Sequence, residues 1–375
     1  MTLSHFLSQK FRFWSFVSMV LLVFVHGYNL EQRYLQPWTM PGEPLTFTSF
    51  TEYFLANGVF RFRIPMLFII SGYLYALHDY TPNKQRIRKR ARTLLIPYLL
   101  WSGFGIALTY VLELFPYTQH LVADSHVMQI DETRVLIHEY HWYEILARWI
   151  FFPVSYQLWF IRVLLVYNIA YRPILWCVTH PLAKKIFFTV AVLLWLSTAG
   201  FILFEGEGLL FFSLGIWMQK NDFNITSPSH RLNPKIWMII FILTATLKTF
   251  LAFYGHAWID GATFPVITLL HKLTVISGLI TCWYGLDGLV RWCMNLKWFV
   301  WLSAFSFIIY AIHAPFVAIL INGMFEWLNY MEGYRIITFV LLPILIITWC
   351  VIKGAVLRKI APNFYGLLTG GRGVQ

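Results

Sequence analysis

The 375-residue chain is 58% hydrophobic and 12% charged, with a mean hydropathy of +0.62, roughly half the charged fraction of a soluble domain. That composition excludes an ordinary soluble fold. The net charge of +12 then reads as the Lys and Arg excess of cytoplasmic loops in a membrane protein, and no nucleic-acid partner is expected.

The apolar runs predict an all-α, polytopic transmembrane helical bundle of about ten spanning helices, forming a single membrane-embedded domain over residues 1–375. In chain order they cover 11–28, 59–77, 93–115, 154–176, 184–203, 205–219, 235–254, 264–288, 298–322 and 335–356. The first has a basic start at Lys10 and Arg12, then an apolar stretch with no small-x-small cleavage site behind it, so it is read as a retained helix and not a signal peptide. The sixth is short of the roughly 20 residues that a bilayer core requires. Two outer connections are long, 29–58 and 116–153, and the second carries His120, His126, His138 and His141. Their tryptophans and tyrosines suit interface anchors and sugar-stacking platforms equally.

With the N-terminus in the cytoplasm, twenty of the twenty-nine cations fall on the inner side beside only Asp79, Asp222 and Asp287. The other fourteen carboxylates lie elsewhere, which predicts an even helix count, cytoplasmic N- and C-termini and a multi-pass protein of the cell (inner) membrane. Cys177, Cys282, Cys293 and Cys350 have no metal-ligand spacing and read as small residues in or beside apolar segments. His138-Glu139-Tyr140-His141 has one residue too few for the zinc helix signature, so no metal site is expected. Asn224-Ile225-Thr226 is an acceptor pattern on the inner side, and no Gly-rich phosphate loop or nucleophile elbow occurs.

Depth along each predicted helix follows from the rise per residue. His26 lies roughly 22 Å along the first helix and His313 about as far along the ninth. Arg61, Arg63, Arg162, Lys248, His271 and Lys272 fall in the outer half as well. Ionisable groups in a bilayer core are costly unless they face a polar interior, so these predict a hydrated, electropositive cavity.

Five segments carry a family pattern. They are Phe24-Val25-His26-Gly27-Tyr28-Asn29, Arg61-Phe62-Arg63-Ile64-Pro65 running to Ser71-Gly72-Tyr73, Lys89-Arg90 through Arg92 to Leu95-Ile96-Pro97-Tyr98, Leu158-Trp159-Phe160-Ile161, and Phe305-Ser306 through Tyr310-Ala311-Ile312-His313-Ala314-Pro315. Taken together and in this order, they resemble the acyltransferase-3 family of integral membrane O-acyltransferases. The family usually has Arg or Lys eleven residues before the first-helix histidine; here Ser15 stands there, with Arg12 and Lys10 as nearby substitutes.

The resemblance implies transfer of an acyl group, usually acetyl from cytosolic acetyl-CoA and in some members succinyl, to a hydroxyl of an extracytoplasmic polysaccharide, glycolipid or glucan. Such chemistry needs a base for the hydroxyl proton and donors for the tetrahedral oxyanion. His26 is the expected base or transient acyl carrier. Arg61, Arg63, Ser71, Trp159, Arg162 and His313 are expected substrate or oxyanion contacts. Arg86, Arg88, Lys89, Arg90 and Arg92 suit the phosphates of acyl-CoA, a co-substrate and not a bound cofactor. Ser71 and Gly72 offer either a passage for the pantetheine arm or a close helix contact. The other partners are the lipid bilayer and the glycan. A transporter of anionic or glycan-lipid substrates is the rival class, but the repeated halves common in transporters are not visible.

Overall fold

A computed structural model describes residues 3–28, 36–129 and 133–373; Asn29 of the first motif and the start of the first outer connection lie outside the described residues. Among the described residues the chain is all-α apart from one hairpin, Gly200–Phe201 against Phe204–Glu205, in which Gly200 pairs with Glu205. Six helical stretches among the described residues are long and apolar enough to cross a bilayer: His5–His26, Phe47–Leu77, Asn83–Leu112, His230–Gly285, Ser306–Leu328 and Tyr334–Ile360. A seventh is counted if Tyr156–Ile169 and Tyr171–Thr179, bent by 67°, form one span. The 56-residue stretch contains two long helices, Pro234–Ile259 and Thr263–Gly285. Pro181–Leu196 and Gly206–Lys220 have only 16 and 15 residues and fall below the length of a full span.

Several boundaries differ from expectation for local reasons. The predicted 154–176 helix breaks at Ala170 because Pro173 has no N–H for the Ile169 carbonyl and disfavours helix at Arg172. The predicted 298–322 helix is two pieces, Lys297–Ser303 and Ser306–Leu328. Residues 47–58, expected within a loop, are helical: Thr46 caps them, its Oγ1 accepting from Ser49 N–H at 3.1 Å while its own N–H donates to Ser49 Oγ at 2.8 Å. The basic segment before the third span is also a helix, Asn83–Arg90, and not a loop.

The chain forms two compact units. The first comprises Met1–Leu21, Gln36–Arg88 and Val163–Ser303. A close helix contact joins Arg63–Leu77 to Gly206–Lys220, where a Cβ at Gly72 would overlap the Phe212 carbonyl oxygen and one at Gly215 would overlap that of Ile69. Small residues let the two backbones meet, as membrane helices commonly require. The Ser71-Gly72 pair therefore closes a helix contact at Gly72. In the same unit Arg86 is buried, its guanidinium 3.9 Å from the Tyr75 ring centroid and 4.3 Å from that of Tyr171. Its Nη2 donates to the Tyr75 carbonyl at 2.7 Å.

The second unit comprises Leu22–Leu35, Lys89–Arg162 and Ala304–Gln375. Here the described part of the connection at 116–153 includes the α-helices Pro116–Ser125 and Trp142–Ile150. The second is fastened by Trp149 Nε1, which donates to the Leu99 carbonyl at 2.8 Å, and by Glu144, which accepts from His141 N–H at 2.8 Å and Arg134 at 2.7 Å. The His141 N–H and the Arg134 guanidinium hold the Glu144 carboxyl below its ordinary value of 4.5. A depressed folded-state value stabilises above the unfolded value and loses that contribution as pH falls through the folded one. Amide exchange of the Trp142–Ile150 helix, corrected for intrinsic pH effects, is therefore expected to quicken below about pH 4.5 in the native chain, and Glu144→Gln should remove that dependence.

Candidate active site

His26 is the last residue of the first helix. Gly27 ends that helix, its N–H donating to the carbonyls of Val23 and Phe24 at 3.1 Å each. A Cβ on Gly27 would sit 3.1 Å from Pro343 Cγ, and the Phe24 and Phe339 rings meet at 6.1 Å. The helix end is thus seated on the long C-terminal helix Tyr334–Ile360, and this fixes the direction of the imidazole. The half-buried His26 ring stacks on that of His313, with centroids 5.4 Å apart and planes at 24°. Tyr156 meets it edge-on at 4.8 Å.

His313 is fully buried, and its Nδ1 lies 2.8 Å from the Ile309 carbonyl one turn back. A carbonyl only accepts, so Nδ1 carries the proton and Nε2 keeps its lone pair in the neutral ring. The sequence placed the two histidines at a similar depth along their helices, and the depth estimate for His313 does not hold. The helix carrying His313 starts at Ser306, so His313 is only about 10 Å from its start.

Gln157 was not singled out by sequence. Pro315 lies inside the Ser306–Leu328 helix and offers no N–H to the carbonyl four residues back, that of Ala311. Gln157 Nε2 donates to Ala311 O at 3.0 Å and to Tyr310 O at 3.1 Å, and Tyr310 Oη donates back to Gln157 O at 2.6 Å. One buried amide therefore ties the Tyr156–Leu158 turn to the turn that presents His313. The signal in the sequence was Pro315, which orphans a carbonyl. Gln157→Leu should destabilise the protein by about 1–3 kcal/mol, the cost of a buried polar group left unpaired, as read from thermal unfolding in detergent.

The remaining expected site residues separate by unit. Trp159 and Arg162 lie in the second unit with His26 and His313; Trp159 is half-buried against Phe160 at 6.3 Å. Arg162 donates to the Phe151 carbonyl, adjacent to the Ile150 carbonyl that Tyr98 Oη reaches at 2.8 Å. Arg61, Arg63 and Ser71 belong to the first unit. Arg61 Nε donates to Ala56 O at 3.1 Å and its Nη2 donates to Asn57 Oδ1. Buried Arg63 donates to Phe60 O at 2.9 Å. Of the cations expected near acyl-CoA phosphates, Arg88, Lys89 and Arg92 are exposed and Arg90 is half-buried, whereas Arg86 is locked between its two tyrosines.

Neither expected substitute for the missing base at Ser15 turns to His26. Arg12 Nε donates to Ser303 Oγ at 2.7 Å and its Nη2 to Val300 O at 2.6 Å, while Lys10 pairs with Asp287 at 2.6 Å. Both are engaged locally in the first unit, whereas His26 meets the rings of His313 and Tyr156. His138 turns to Tyr110 and Glu113. It packs on Tyr110 at 4.5 Å and its Nδ1 lies 2.7 Å from Glu113, which also accepts from Ile137 N–H at 2.8 Å. At the surface, His120, Asp124 and Glu326 place ligand atoms within 4.8 Å of one another. Cys177, Cys282, Cys293 and Cys350 are free thiols.

Comparison with known proteins assigns the chain to a family. The family described as an acyltransferase domain, acyltransferase-3, matches residues 11–354. The succinoglycan biosynthesis protein ExoH of Rhizobium meliloti is 25% identical over 323 residues, covering 85% of this chain and 81% of the relative. The probable poly-beta-1,6-N-acetyl-D-glucosamine export protein of Staphylococcus aureus is 22% identical over 355 residues, covering 91% of each. No solved structure matches the chain at a significant level. A family match that takes in every histidine and arginine of the site, on a bundle of apolar helices, leads to one conclusion: the chain belongs to the acyltransferase-3 family and is a multi-pass membrane O-acyltransferase.

Proposed function

We propose that this enzyme moves an acyl group from cytosolic acyl-CoA to a hydroxyl of an extracytoplasmic glycan, with acetyl as the first donor to test. The observation that carries the proposal is the contact of His26 with His313 and Tyr156 at the end of the first helix. In this reading ten helices span the cell membrane with both termini in the cytoplasm, in accordance with the charge asymmetry of the sequence.

His26 accepts the proton of the sugar hydroxyl as its oxygen attacks the thioester carbonyl. The new C–O bond forms, the carbonyl oxygen takes up negative charge, and the C–S bond then breaks. The proton passes from His26 to the departing CoA sulfur. His313, held by its own helix through Nδ1, keeps the His26 ring in register. Lys89, Arg90 and Arg92 receive the donor's phosphates, since phosphate recognition calls for cations that solvent and ligand can reach. Arg86 is left out of that role by its burial.

The test is a transfer assay on membranes that contain the full chain, supplied with radiolabelled acetyl-CoA or succinyl-CoA. Alkali-releasable label on glycan is expected with one of them, and the donor that labels names the acyl group. The name of the Staphylococcus aureus relative favours a second reading, glycan export. Loss of surface glycan without change in its ester content, on deletion of the protein, would support export.

A further inference from the structure

The basic stretch ends in a widened turn, and a distant part of the chain closes on it. Residues Ala91–Leu95 form a π-helical turn between the helices Asn83–Arg90 and Ile96–Leu112. Pro97 follows two residues later and has no N–H for the Thr93 carbonyl, four residues back. That carbonyl is met instead by Arg372. Its Nη1 donates to Thr93 O at 2.9 Å and to Thr369 O at 3.0 Å, and its guanidinium lies 4.8 Å from the Phe307 ring centroid.

The backbone before and after Arg372 is fitted to the same place. Gly370 ends the helix Pro362–Thr369 with a φ of 62°, a left-handed conformation that glycine adopts at little cost. A Cβ there would overlap the Thr93 carbonyl oxygen, and one at Gly373 would overlap that of Ala304. Trp101 Nε1 donates to Leu368 O at 2.9 Å, and Arg358 Nη1 donates to Gly373 O at 3.2 Å. All of these residues belong to the second unit. The transfer scheme uses none of these contacts. Yet Thr93 directly follows Arg92, and Arg90 is within electrostatic reach of Arg372. Single π turns inside helices recur at functional sites, where they re-aim the side chains beside them.

We propose that Gly370–Gly373 is a clip on the π turn, and that Arg372 is a positioning residue that holds Arg90 and Arg92 in place for the phosphates of acyl-CoA. This rests on the acyl-transfer reading above, in which those two arginines meet the donor. It adds to donor binding a segment that lies 279 positions from Thr93 in sequence. Without the clip the turn keeps its cations but loses their spacing. Affinity for the donor then falls, and affinity for the glycan does not.

The purified full-length protein in detergent tests this without turnover, with coenzyme A as the probe. Binding is followed by titration calorimetry, and opening of the turn by amide hydrogen exchange. Arg372→Ala is expected to weaken coenzyme A binding about tenfold, the effect of one charged hydrogen bond, and to quicken exchange across residues 91–96. Arg372→Lys, which can still donate to Thr93 O, should keep most of the affinity. Gly370→Ala leaves every charge in place but drives the segment off Thr93, so it should weaken binding too. Lys359→Ala removes an exposed cation outside the clip and should bind as the native chain does. Arg372→Met repeats the measurement if the alanine variant does not fold. In membranes, Arg372→Ala should raise KM for acyl-CoA while kcat and KM for the glycan change little; a purely structural role would leave both KM values as they are. Native affinity in folded Arg372→Ala or Arg372→Met, unchanged exchange of the turn, or a native chain that does not bind coenzyme A would overturn the proposal. Wild-type membranes that transfer neither acyl group would count against the transfer scheme alone, because binding and exchange are read without transfer.

Discussion

His26→Ala is expected to reduce ester-linked acyl groups on surface glycans by about a hundred- to ten-thousand-fold at normal protein level, the usual contribution of a positioned general base. Three features make this the largest catalytic effect available in the second unit. The imidazole ends a helix that Gly27 closes against Pro343, so its position is set by packing. It is half-buried, so a substrate can reach it. Its ring neighbours, His313 and Tyr156, fix its plane. His313→Ala should cost less than His26→Ala, because a positioning residue affects geometry and not the proton itself. Its pH–rate profile should keep the native shape while the maximum falls. Unchanged esterification in the His26→Ala strain would remove this residue from the mechanism.

Gly72→Ala is expected to be the most damaging single methyl in the first unit. The new Cβ would overlap the Phe212 carbonyl oxygen, a backbone atom that cannot turn aside as a flexible side chain can. The helices Arg63–Leu77 and Gly206–Lys220 must then separate. Overpacking of this kind costs about 3 kcal/mol or more when backbone has to move. The expected readout is loss of the monodisperse peak in detergent size-exclusion chromatography and a sharp fall in Tm. Gly261→Ala, where nothing lies within 4 Å of the added atom, is the matched control and should behave as the native chain. Similar behaviour of the two variants would show that the contact at Gly72 is not tight.

The contrast between these residues explains what was legible in the sequence. His26 and His313 were visible because imidazoles are rare in apolar helices and stand in a recognisable order of motifs. The all-α character was visible because long apolar runs admit few alternatives. Break points were less visible. Pro173 interrupts a run whose hydropathy is continuous, because hydropathy does not register a missing backbone N–H, and the 304–305 break falls in an equally apolar run with no proline to mark it. Gln157 escaped for a related reason: its role exists only because Pro315, 158 positions later, leaves a carbonyl free. The substitutes suggested for Ser15 failed because proximity in sequence says nothing about competing partners, and Ser303 and Asp287 hold Arg12 and Lys10.

The setting of Arg86 changes how the basic stretch 84–92 should be regarded. A run that looks like interchangeable positive charge contains one planar wedge, flat between two phenol rings and hydrogen-bonded to a main-chain oxygen. Lysine has neither the plane nor the fork to fill that slot. Replacing every cation of the stretch with lysine would preserve its formal charge, yet it would pull the keystone from the joint between the last turn of Arg63–Leu77, where Tyr75 lies, and the helix that starts at Tyr171.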